Sequence, residues 1–78
     1  MSLRWSTPYF GVQHLSGHPK LDQRPRVYQV TLEAYPTGAE WCVLALQGGT
    51  PFTPIKEGTC ADVEAAKRAA EKAFSVLV

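Results

Sequence analysis

The run Arg26 to Tyr35 alternates: Tyr28, Val30, Leu32 and Ala34 share one parity, and Gln29, Thr31 and Glu33 share the other. An extended chain sends successive side chains to opposite faces, so this period describes a strand with one buried and one wet face. Such a strand needs a partner and an apolar cover. The next residues specify the return. Pro36 suits the first corner of a type I turn, Thr37 the second, and Gly38 the left-handed position that closes a three-residue hairpin loop with a bulge. That loop pairs Tyr35 with Ala39, so Leu32 faces Cys42, Val30 faces Leu44 and Tyr28 faces Leu46 on the inner side. The outer side then carries Glu33 beside Trp41, Thr31 beside Val43 and Gln29 beside Ala45. A four-residue loop would instead bring Trp41, Val43 and Ala45 under the core and expose Leu44 and Leu46. The three-residue loop is preferred because its turn chemistry and its apolar matching agree.

The cover comes from the carboxy-terminal segment. Val63, Ala66, Ala70, Phe74 and Leu77 recur at intervals of three and four, which predicts a helix from about Cys60 to Leu77. Thr59 and Asp62 read as a capping box at its start. Glu64 with Arg68 and Lys67 with Glu71 are spaced to pair along its wet side. Gly48-Gly49 ends the second strand, and Pro51 and Pro54 leave Thr50 to Ile55 only a short edge strand or an irregular return. At the other end, Leu3 to Leu15 alternates weakly around Pro8 and Gly11, as an edge strand or extended arm. Ser16 to Pro25 reads as a loop of about ten residues. The expected architecture is one α+β domain over 1–78 in two layers, with an antiparallel sheet of three or four strands packed against one C-terminal helix. Residues 1–25 form the arm and loop, 26–47 the hairpin and 60–77 the helix. Its core combines Tyr28, Val30, Leu32, Leu44 and Leu46 with the helical stripe.

With 78 residues, 45% of them apolar and 19% charged, the chain is hydrophobic enough to fold but too short to enclose a cofactor crevice. A domain of this size buries only about 60% of its unfolded surface, so burial gained by self-association is valuable to it. The net charge of +1 hides an asymmetry. Arg4, Lys20, Arg24 and Arg26 stand against Asp22 alone before residue 27, whereas Glu33 and Glu40 are the only charges from 27 to 55. The two cysteines do not form a disulfide scaffold, and the start lacks a basic region followed by an apolar run, so a cytoplasmic location is expected. The longest wholly apolar run, Cys42 to Leu46, is far short of the roughly 20 residues of a membrane span.

No constellation spells out catalysis, and no cofactor is expected. His14, His18, Cys42 and Cys60 lack metal-ligand spacing, so no metal is expected. Cys60 in a first helical turn has no orienting histidine to make it a nucleophile. The carboxylates have capping or solvent-face explanations, and Gly48-Gly49-Thr50 lacks the remainder of a phosphate loop. The chain therefore reads as a small non-enzymatic interaction protein, self-associating as a homodimer or binding another protein. The surface would be the outer sheet face around Tyr35, Trp41 and Val43, where a wet Trp41 wastes burial, or an adjacent sheet edge able to accept a partner strand. The alternative is a weak single-stranded RNA- or DNA-binding module, with Lys20, Arg24 and Arg26 on the backbone and Trp5, Tyr9 and Phe10 stacked on bases.

Overall fold

The alternating run becomes the middle strand of a five-stranded antiparallel sheet with strands in sequential order. The structure, a computed structural model, describes residues 3–46 and 52–78. Its elements are β1 (Arg4–Trp5), β2 (Val12–Ser16), α1 (Pro19–Asp22), β3 (Tyr28–Tyr35), β4 (Gly38–Ala45), β5 (Thr53–Cys60) and α2 (Val63–Leu77). Helix α2 lies across one face against β3, β4 and β5, so the two-layer α+β arrangement holds. There are five strands rather than three or four. The amino-terminal segment folds back on itself to supply two of them, and the return from the hairpin forms a full strand of eight residues despite Pro54. An edge strand accepts proline, because an outward-facing amide there has no ladder partner to lose. The Gly48-Gly49-Thr50 turn lies outside the described residues.

The hairpin register differs from the expected one. Tyr35 lies opposite Gly38, Leu32 opposite Trp41, Val30 opposite Val43 and Tyr28 opposite Ala45, leaving Pro36 and Thr37 as the whole turn. A shift of one residue exchanges the faces, so Trp41, Val43 and Ala45 are inside and Cys42 and Leu44 outside. Val43 is 0% exposed, whereas Leu46 is 41% exposed and has left the expected core. The neighbouring strand explains the choice. Trp41 pairs with Gly58 of β5, and a Cβ on Gly58 would sit 2.9 Å from three atoms of the indole. The bare glycine backbone makes room for the ring, so the largest side chain of β4 packs inward over an edge strand instead of standing in water. Gly38 also has a fixed place in the ladder. Its φ is 153°, and a Cβ there would meet the Cys60 carbonyl at 2.5 Å.

Helix α2 starts three residues later than its pattern suggests. Asp62 rather than Thr59 is the N-cap, its Oδ1 accepting the Ala65 amide at 2.8 Å, and Thr59 and Cys60 extend β5. A carboxylate at this position also meets the positive end of the helix dipole. Ala66 and Ala70 are fully buried, so the helix axis approaches the sheet closely, and Phe74 fills the space among Val30, Val43, Leu15 and Leu21. Val63 and Ala66 pack with Leu32, Ala39 and Trp41. Along the wet side, the observed pair is Lys67 with Glu64 at 3.9 Å, an exposed contact of little consequence for stability.

Two adjacent residues test the register. Val43→Ala should cost about 2 kcal/mol or more in urea unfolding, and Leu44→Ala less than about 1. The reverse order would restore the three-residue loop. Gly58→Val, which β propensity alone would favour, should destabilise by about 1–3 kcal/mol as the new side chain meets the Trp41 ring. An unchanged urea midpoint would show that the ring is elsewhere.

Candidate functional site

The loop expected between the first two regions is partly helical and well anchored. His18 caps α1, its Nδ1 accepting the Lys20 amide at 3.2 Å, and Asp22 Oδ2 accepts the Gly17 amide at 2.7 Å. Leu21 inserts into the core, and the His18 ring meets Phe74 edge-on at 5.2 Å. The segment returns to the sheet where the Val27 amide donates to Lys20 and the Leu46 amide donates to Val27. These ties hold Lys20, Arg24 and Arg26 at the end of the sheet where β3 begins. All three are exposed. The only salt bridge among the described residues is the one on α2, so none of these cations is neutralised by a neighbouring carboxylate there.

Two clefts meet at Arg26. One is lined by Arg24, Pro25, Arg26, Leu46 and Phe52. The other is lined by His14, Leu15, Leu21, Arg26, Tyr28, Gln29 and Val30, where β2 and β3 part beyond their pairing at His14 and Thr31. The first combines two guanidinium groups with an apolar floor, which suits a flat or aromatic group carrying negative charge. Phe52 lies six residues beyond Leu46, with no local pattern in the sequence tying it to the cations. Only the strand pairing brings it beside Arg24.

The expected aromatic partners of these cations are elsewhere. Trp5 lies opposite Leu15 and packs into the core, its Nε1 buried without a hydrogen-bond partner. Tyr9 and Phe10 form the tip of the β1–β2 hairpin, at the far end of β3, where the Ala34 amide donates to Gly11. Eight residues of β3 at about 3.3 Å each separate this tip from the basic end. The basic and aromatic parts of the amino-terminal third therefore form two surfaces.

The tip is unusual in its own right. Tyr9 and Val12 exchange both backbone hydrogen bonds across Phe10 and Gly11, whose φ values are 51° and 77°. Positive φ at both central residues is the type I′ turn that strand twist favours, with asparagine then glycine as its usual pair. Phenylalanine in the first position costs about 1–2 kcal/mol of backbone strain. Phe10 is also 87% exposed and Tyr9 75%, with their rings edge-on at 4.6 Å. Neither strain nor exposure stabilises this fold.

The outer sheet face is polar, as befits the wet side of an antiparallel sheet. Of Tyr35, Trp41 and Val43, only Tyr35 remains on it. Glu33 lies directly opposite Glu40, and Cys42 opposite Glu57. The neighbouring Glu33 carboxylate first, and the Glu40 charge after it, hold the Tyr35 pKa above the usual phenol value. Cys42, expected inside as a small hydrophobe, sits on this face. Burial and the Glu57 and Glu40 charges push its thiol up. Both cysteines are free, and among the described residues no three His, Cys, Asp or Glu side chains gather as a metal site. No helix there is long and apolar enough to cross a membrane.

Comparison with protein-family models, curated proteins and solved structures finds no match.

The raised Cys42 pKa has a direct readout. A higher pKa leaves less thiolate at neutral pH, so disulfide-reagent labelling of a Cys60→Ser variant should be slower at pH 7 than for a free cysteine peptide, with its midpoint at higher pH. Faster labelling at pH 7 would contradict this electrostatic picture.

Proposed function

We propose that this chain is a non-catalytic interaction protein that self-associates through the Tyr9–Phe10 hairpin tip. The observation that carries the reading is the tip itself: two exposed aromatic rings on a turn whose first central residue is held in a conformation aromatic residues avoid. Strain and exposed apolar area at one point run against folding stability, and a contact made there would compensate for both. Large aromatics presented on a tight, preorganised turn lose little freedom on binding. The sheet edges suit this role less well. β1 has two residues, and β5 is interrupted by Pro54 and a bulge between its pairings with Val43 and Leu44. Such features discourage strand addition.

The second reading, binding of single-stranded nucleic acid, is favoured by one feature, the cleft that joins Arg24 and Arg26 to Phe52. Its cations are few, which gives a shallow salt dependence and weak affinity.

Phe10→Asn separates contact from folding. The substitution installs the preferred Asn-Gly turn, so the monomer should gain on the order of 1 kcal/mol in urea unfolding. Sedimentation should show the wild-type mass rising with concentration and the variant remaining monomeric. A wild-type chain that stays monomeric to millimolar concentration would refute self-association.

A further inference from the structure

We infer that the tip of one copy enters the Arg24–Arg26 cleft of a second copy, making a head-to-tail contact. The inference rests on the self-association reading above and assigns its receiving surface. The tip and the cleft lie at opposite ends of β3, so within one chain they cannot meet. Their chemistry is complementary. The tip offers two aromatic rings, and the cleft offers Leu46 and Phe52 as an apolar floor flanked by two guanidinium groups that attract the faces of aromatic rings. The cleft is a broad depression open to solvent, so an aromatic ring can reach its floor without displacing any wall.

Charge points the same way. Beside the tip, Glu33 lies opposite both Val12 and Glu40, an unfavourable like-charge pairing that no cation relieves among the described residues. The cleft carries the opposite sign, also without neutralising partners. A tip seated in a neighbour's cleft brings these uncompensated ends together, which favours the correct orientation and speeds encounter. Each aromatic ring brings about 150–250 Å² to the contact, so the interface lies below the roughly 1,200 Å² of stable complexes and is a weak one. Because the two surfaces differ, each joined pair still has one free cleft and one free tip. The contact therefore propagates into chains or closes into rings rather than stopping at a two-fold dimer.

Complementation between two variants tests this. Phe10→Asn retains the cleft and loses the tip; Arg24→Glu with Arg26→Glu retains the tip and reverses the cleft. Each should sediment as a monomer with its helix signal in circular dichroism intact, and an equimolar mixture should reach the dimer mass and no further. Arg68→Glu, on the exposed side of α2 and outside the cleft lining, should associate as the wild type does. If Phe10→Asn abolishes association but the double arginine variant associates normally, self-association through the tip stands and the cleft assignment falls. Two monomeric variants that do not combine would also overturn the cleft assignment. A fluorescent mixed-sequence single-stranded oligonucleotide supplies the remaining arm. Binding that survives Phe10→Asn, disappears in the double arginine variant and occurs without wild-type self-association would give the cleft to nucleic acid and overturn the proposal.

Discussion

The Trp41 indole lying over Gly58 sets the orientation of the hairpin. Once that ring is inward, the period of two forces Val43 and Ala45 inward with it and turns Cys42 and Leu44 outward. Helix α2 then meets a surface made of one large aromatic and several small or branched residues. Ala66 and Ala70 allow it to approach, and Phe74 fills the end where α1 and the start of β3 converge. The other face carries Glu33, Thr31, Glu40 and Glu57 beside Cys42, Leu44 and Tyr35, a mixed surface whose charges suit water. The burial deficit that a solvent-facing Trp41 would create does not arise.

The elements were legible in the sequence to different depths. The β3 alternation and the α2 stripe are visible because each repeats several times, so a single exceptional residue does not obscure them. The register is different, since it depends on one residue in the turn. Pro36-Thr37-Gly38 resembles a three-residue loop with glycine at its end, but Gly38 belongs to the strand, where backbone from Cys60 leaves no room for a side chain. The deciding partner, Gly58, is twenty residues away, and nothing local to it shows that a ring must pack over its backbone. The start of α2 is ambiguous in the sequence for a similar reason: Thr59 and Asp62 are both good caps, and the extension of β5 along β4 excludes the first.

The candidate surfaces follow the same division. The cationic cluster was legible as composition, because Lys20, Arg24 and Arg26 are near one another in sequence. Its neighbours were not. Leu46 and Phe52 arrive through strand pairing, whereas Tyr9 and Phe10, close in sequence to the basic loop, are carried away along β2. Gly11 was read as a weakness in a strand. It is the second corner of a type I′ turn, and the unexpected residue there is the phenylalanine before it. An aromatic ring accepts that backbone only at a cost, so the fold presents two chemically opposite ends instead of one sticky face.

The arrangement of the hairpin decides which side chains of β4 meet the helix and leaves Leu46 exposed at the cleft, and nuclear Overhauser contacts read it without any substitution. The account predicts cross-peaks from the Trp41 ring protons to the Gly58 Hα atoms and from the Val43 methyls to the Phe74 ring. Cross-peaks from the Leu44 methyls to the Phe74 ring, with the Trp41 ring protons showing only solvent and outer-face neighbours, would contradict it.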